Sequence, residues 1–165
     1  MNKDTDAPLH HAARNGQTST VELLLTSGAL IDAMDKDGNT PLQVAAWKSH
    51  TDVVELLLDN GAGIEARNQY DNTPLHLAAW NGHTGVVKLL LGKGASIEAI
   101  NQYNNTPLHL ASLKGHSGMV ELLLWKGASI GAVNDNGDTP YTMPHGVVIL
   151  VVILVRWSCF SGNMP

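Results

Sequence analysis

The sequence repeats itself every 33 residues, and this period constrains the fold more than any other feature. A Thr-Pro-Leu motif, with an alanine three residues after the leucine, begins at Thr40, Thr73 and Thr106. A weaker copy begins at Ala7 and a shortened one at Thr139, in the same phase. Fixed periods of roughly 20–50 residues are typical of proteins in which each copy is one structural unit packed on its neighbours.

The start of each repeat carries the signals of a short helix. The motif threonines (Thr40, Thr73 and Thr106) are predicted to be N-caps, since a hydroxyl can accept a hydrogen bond from a free backbone N–H at a helix start. The proline after each suits the first helical position, where no N–H is needed. The predicted helix ends at a glycine, which adopts the left-handed conformation readily. The residues at this corner are Gly16, Ser49, Gly82 and Gly115. Slight strain is expected at the serine.

A second helix is predicted two residues after this corner. Its expected N-caps are Thr18, Thr51, Thr84 and Ser117. These helices are apolar nearly all round, apart from one charged position that is expected to face outward: Glu22, Glu55, Lys88 and Glu121. They are predicted to end at Gly28, Gly61, Gly94 and Gly127. The predicted fold is therefore all-α, a solenoid of helix–turn–helix units joined by extended turns or hairpins. Small alanines in the first helices predict close packing there, so the first helices should form the concave side.

This pattern resembles the ankyrin-repeat family, whose repeats have the same period and a Thr-Pro-Leu-His-x-Ala motif. The resemblance covers residues 2–138. It divides them into four repeats at about 2–34, 35–67, 68–100 and 101–133, followed by the turn that opens a fifth. Residues 139–165 are an incomplete fifth repeat with an apolar tail. The resemblance implies a non-enzymatic protein-interaction module without a cofactor, which binds its partner through the concave side and the turn tips.

The resemblance also implies which residues contact the partner. The candidate partner-binding residues are Arg14, Lys36, Asp37, Trp47, Lys48, Tyr70, Trp80, Asn81, Tyr103, Leu113 and Lys114. Further positions in the same phases are Asn15, Asn39, Arg67, Gln69, Asn72, Ile100, Gln102, Asn105 and Val133.

The aromatic candidates follow the repeat. Trp47 and Trp80 are 33 residues apart with Leu113 next in phase, and Tyr70 and Tyr103 form a second pair. Tryptophan and tyrosine often anchor interfaces, so we expect these rings to be exposed on the concave side. The alternative is ordinary packing between neighbouring first helices.

Eight histidines raise the alternative of a metal site, but most of them share the repeat phase. The two in-phase sets are His10, His76 and His109, and His50, His83 and His116. Because these histidines recur at the same positions of the repeat, we interpret them as structural hydrogen-bonding groups that tie turn to helix, and not as metal ligands. The chain also lacks the GxGxxG and P-loop patterns, and it offers no arrangement typical of a catalytic triad. Trp125 has no aromatic counterpart in other repeats and is expected to cover the end of the stack.

Charge and cysteine content limit the partner and the compartment. The net charge is −5 without a basic stripe, which argues against nucleic acid as the partner. A single cysteine, Cys159, suits a reducing compartment, so the expected location is the cytoplasm, with the nucleus as the alternative. A monomer is expected.

The C-terminal tail allows two interpretations. Pro144 should interrupt the fifth repeat, and residues 147–155 are nine consecutive apolar residues, too few to span a bilayer as a helix. We interpret the tail as a cap on the last repeat, with membrane contact through residues 147–160 as the alternative. The main functional hypothesis is an adaptor, scaffold or inhibitor. The rivals are a regulatory or targeting segment of a larger enzyme or channel, and a peripheral membrane protein.

Overall fold

A computed structural model describes residues 7–143 of the chain. They form eight α-helices in four consecutive pairs, without a β-strand in this range. The helices are α1 Pro8–Arg14, α2 Thr18–Thr26, α3 Pro41–Lys48, α4 Thr51–Asp59, α5 Pro74–Trp80, α6 Thr84–Gly92, α7 Pro107–Lys114 and α8 Ser117–Trp125. The predicted all-α solenoid is confirmed. Cys159 and the apolar tail at 147–160 lie outside the described residues.

The motif threonines cap the first helices, as predicted. Thr40 Oγ1 accepts a hydrogen bond from the Gln43 N–H at 3.3 Å, and Gln43 Oε1 accepts one from the Thr40 N–H at 2.8 Å. Thr73 and Thr106 form the same reciprocal capping box, with a histidine in place of the glutamine. Each capping box satisfies two backbone donors that would otherwise lack partners at a helix start.

The two ends of the stack depart from this pattern. At the first repeat, Ala7 has no hydroxyl, and the buried Nδ1 of His10 has no hydrogen-bond partner within the described residues. At the fifth, Thr139 and Thr142 exchange hydrogen bonds, but no helix forms before residue 144. Thr142 occupies the place of the histidine, and its side chain is much shorter.

We expect Ala7→Thr to raise the free energy of unfolding by about 1 kcal/mol, the usual worth of an N-cap hydroxyl. Ala7 already has the extended backbone conformation of the capping threonines, and the new hydroxyl would also give His10 Nδ1 a partner. Chemical denaturation measures the change. Ala7→Val is the control because it adds the same branched shape without a hydroxyl. Equal stabilisation by both variants would show that capping is not the cause.

The predicted N-caps of the second helices are wrong by one residue. Thr18, Thr51, Thr84 and Ser117 are the first helical residues, and the caps are Gln17, His50, His83 and His116. None of these caps bonds the helix through its side chain. Each histidine can serve as the cap because its backbone is non-helical while its carbonyl accepts the first helical bond, as from Val54 N to His50 O at 2.9 Å.

The second helices end as predicted at left-handed glycines. At Gly61, φ is 89°, and the N–H groups of Gly61 and Ala62 donate to the carbonyls of Leu58 and Leu57. This is a Schellman ending, in which two terminal carbonyls find partners. The corner after α3 carries Ser49 at φ 66°, a conformation that disfavours side chains with a Cβ. The expected strain at Ser49 is therefore present.

The first helices pack against one another more extensively than the second helices do. Their contact positions are alanines, Ala12, Ala45, Ala78 and Ala111, each at most 1% exposed. Closer packing on this side is what the predicted concave face requires, and the curvature itself stays a prediction. The single charged positions of the second helices are exposed. Within residues 7–143 no helix is long and apolar enough to cross a membrane.

Candidate functional site

Buried side chains at the third position of the first helices join each repeat to the next. His76 Nε2 donates to the carbonyl of Asn105 at 2.9 Å, just before the next first helix. Gln43 Nε2 donates to Asn72 O at 2.7 Å, so glutamine performs the same task. The equivalent bonds of His10 and His109 reach Asn39 O and Asp138 O at 2.9 and 3.2 Å. The predicted role of these histidines in tying helix to turn is confirmed.

The other histidine set joins each repeat to the one before it. His83 Nε2 donates to the carbonyl of Trp47 at 2.8 Å, and His116 Nε2 donates to that of Trp80 at 3.0 Å. His50 makes the same bond to Arg14 O at 3.0 Å. These carbonyls lie in the last turns of the first helices, where intrahelical partners are missing. The backbones of both tryptophans are therefore fixed by the following repeat. No cluster of metal-ligating side chains occurs in the described part of the chain.

His76 and His109, which bond the next repeat, are neutral at physiological pH. Burial lowers the pKa of His76 from 6.5 to about 4, because an imidazolium in the core would lose its hydration. Nε2 carries the proton, since it faces a carbonyl, and Nδ1 accepts from the Thr73 N–H at 3.2 Å. Burial also lowers the pKa of His109. Both rings thus hold their inter-repeat bonds as uncharged groups.

A ladder of amides positions the turn tips. Asn68 Oδ1 accepts hydrogen bonds from the N–H groups of Tyr70 and Asn72, at 3.0 and 3.1 Å. Asn68 Nδ2 donates to Asn39 Oδ1 of the preceding turn at 2.8 Å. Asn101 and Asn134 repeat this arrangement with the preceding turns. Sequence reasoning missed the ladder, although Asp or Asn at 35, 68, 101 and 134 follows the repeat phase.

Two rows of apolar side chains line a groove between the turn tips and the first helices. We call it the aromatic groove, and it is defined by Trp47, Tyr70, Trp80, Tyr103 and Leu113. Its volume is about 510 Å³. Trp47, Tyr70 and Tyr103 are 48%, 46% and 54% exposed, whereas Trp80 and Leu113 are half-buried. Neither tryptophan is enclosed between the helices, so the packing alternative does not describe them.

Lysines flank the tryptophans. Lys114 Nζ lies 3.9 Å from the centre of the Trp80 ring, and Lys48 Nζ lies 5.6 Å from that of Trp47. A cation over an indole face is attracted by the ring electrons. Lys114 thereby covers part of the Trp80 ring. The helices α1, α3, α5 and α7 contain no aspartate or glutamate, so the lysines at the ends of α3 and α7 place positive charge beside the groove, whose own lining includes Asp37.

The remaining candidates lie around the groove. Asp37 and the half-buried Asn81 line it, and Lys36 is exposed on the first turn tip. Arg14 is half-buried in the first repeat and does not line the groove. Arg67 donates to the carbonyl of Ile100 at 2.8 Å, so it joins two repeats.

Asn39, one of the further contact positions, lines the groove but is only 7% exposed, because its amide belongs to the ladder between turns. One interpretation is wrong. Trp125 does not cover the end of the stack, since it is 66% exposed beside Lys126. Its in-phase counterparts, Thr26, Asp59 and Gly92, are exposed too, because this position follows the last, half-buried leucine of the second helix and faces away from the core.

The comparison with protein families agrees with this architecture. A family model described as ankyrin repeats (3 copies) matches residues 1–68 and 60–134. These matches span well over half of the 165 residues, so the chain belongs to the ankyrin-repeat family. Ankyrin repeats are generally protein–protein interaction modules and are typically non-enzymatic. A search of curated protein sequences finds no match to the chain.

Proposed function

We propose that the chain is a non-enzymatic adaptor or scaffold that binds a partner protein through the aromatic groove and the neighbouring turn tips. The observation that carries this proposal is the alignment of four aromatic rings along one open groove. Three of the rings, Trp47, Tyr70 and Tyr103, are about half exposed. Large exposed apolar patches on soluble proteins often mark interaction sites, and tryptophan and tyrosine are frequent anchors there. The proposed location is the cytoplasm or the nucleus.

The groove is also well suited to keep its shape without a ligand. The histidine bonds fix the backbones of Trp47 and Trp80, and the amide ladder fixes those of Tyr70 and Tyr103. A site formed in advance loses less conformational entropy on binding. This supports binding of a defined partner surface over adaptable, unspecific contact.

The test is partner capture with three forms of the chain. We expect Trp80→Ala to weaken binding of the captured partner by about 2 kcal/mol or more, as is usual for a central aromatic anchor. Trp125→Ala is the matched control, because this tryptophan also carries a lysine over its ring but lies outside the groove. Thermal unfolding of both variants shows whether the fold is kept. If Trp80→Ala binds every captured partner as well as the unmodified chain does, the groove is not the binding site.

A further inference from the structure

The rings of the aromatic groove recur at a spacing that selects one ligand conformation. Trp47 and Trp80 occupy the same position of α3 and α5, and packed helices have axes roughly 8–10 Å apart. In a polyproline II segment every third residue returns to the same side after about 9 Å. In a β-strand the third residue points to the opposite side. A polyproline II segment along the groove thus presents one side chain to each repeat.

The polar atoms of these rings favour a ligand with free backbone carbonyls. Within the described residues, the indole Nε1 atoms of Trp47 and Trp80 and the phenol oxygens of Tyr70 and Tyr103 form no hydrogen bond. The indole N–H can only donate. An α-helical ligand uses its carbonyls internally, whereas a polyproline II segment has no internal hydrogen bonds. The unused donors of the groove therefore complement an extended segment better than a helix.

Charge indicates which extended segment fits. Lys48 and Lys114 lie beside the tryptophans, and neither pairs with a carboxylate within the described residues. The first helices supply no acidic residue that would neutralise them. The chain as a whole carries −5, but such long-range charge is screened beyond about 8 Å at physiological salt. Asp37 lines the groove on its turn-tip wall, so a bound segment meets positive charge from the lysines along the helical wall and one carboxylate at the first of these turn tips.

We infer that the groove binds an acidic, proline-rich segment of a partner protein in the polyproline II conformation. This inference rests on the proposed function, because it names the kind of segment that the groove takes. Prolines lie against the rings, and backbone carbonyls accept from the indole and phenol donors. Lys48 and Lys114 are two repeats apart, roughly 16–20 Å by helix spacing, which corresponds to about six residues of polyproline II. Two acidic residues about six positions apart, with prolines between them, form ion pairs with both lysines.

The experiment uses the full chain and three synthetic peptides without aromatic residues. The first has two glutamates six residues apart, separated by a run of prolines. The second has lysines in place of the glutamates, and the third keeps the glutamates but replaces the prolines with alanines. Tryptophan fluorescence or calorimetry measures binding. We expect the first peptide to bind about tenfold more tightly than either of the others, as two exposed ion pairs and the preformed backbone would give.

Charge variants test the role of the lysines. We expect Lys48→Gln with Lys114→Gln to remove the preference for the glutamate peptide over the lysine peptide. Lys126→Gln, beside the tryptophan outside the groove, is the matched control and should leave the preference unchanged. If the first peptide binds no better than the second and third, the inference is wrong. A captured partner that is lost with Trp80→Ala but is not displaced by the glutamate peptide also overturns it and leaves the proposed function standing.

Discussion

The stability of the fold should fall by about 3 kcal/mol between pH 6.5 and pH 4 through His76 alone. The folded-state pKa of about 4 lies below the ordinary value of 6.5. Within this interval the unfolded chain therefore binds a proton that the folded chain does not, which favours unfolding. The contribution is complete above pH 6.5 and is lost as the pH falls toward 4. Urea denaturation over a series of pH values measures it.

His76→Gln should remove this part of the pH dependence and keep the fold. Gln43 shows that glutamine at the same repeat position closes the capping box and reaches the next turn at 2.7 Å. His11→Gln, at an exposed histidine, is the control for loss of an imidazole. If His76→Gln retains the full loss of stability between pH 6.5 and pH 4, then His76 is not the acid-sensitive group.

Leu90→Ala should lower the free energy of unfolding by about 3 kcal/mol, as is common when a leucine is truncated in a packed core. Leu90 is fully buried in α6, and α4 and α8 flank this helix on both sides. Chemical denaturation measures the loss. Leu23→Ala, at a leucine that is 65% exposed in α2, is the matched control and should change stability by less than about 0.5 kcal/mol.

The same reasoning predicts where the chain unfolds last. In a stack of repeats, stability is approximately the sum of the units and of their interfaces, and only the second and third repeats have described neighbours on both sides. Amide hydrogen exchange should be slowest at 53–58 and 86–91. Equal protection in α2 and α6 would show that the stack unfolds as one unit without weaker ends.

Sequence reasoning succeeded where a residue acts on its own neighbours along the chain. Thr40 could be recognised as a cap because its hydroxyl bonds a backbone group three residues away. The serine corner at Ser49 and the glycine endings were accessible for the same reason. The 33-residue period also identified the structural histidines, since a side chain at the same position of each repeat has the same surroundings each time.

Sequence reasoning failed where the position or exposure of a residue depends on the adjacent repeat. Thr51 has the side chain of a good cap, but it is already the first helical residue of α4. The cap is His50, whose ring is bonded to the preceding repeat. Trp47 and Trp80 look equivalent in sequence, yet Lys114 of the next repeat covers the second ring. The burial of Asn39 likewise depends on Asn68, 29 residues away.

The hydrogen bonds between repeats bear on how such a gene can lengthen. Each internal unit donates through its first-helix histidine or glutamine to the unit after it, and its own carbonyls receive the bond from the following histidine. A tandem duplication of 33 codons within this region would therefore insert a unit whose partners already exist on both sides. Gln17 in the first repeat and Thr142 in the fifth stand where the internal units have the histidines, or Gln43, that make these bonds. In-frame copying of an internal unit is therefore a route to a longer stack that needs no compensating mutation.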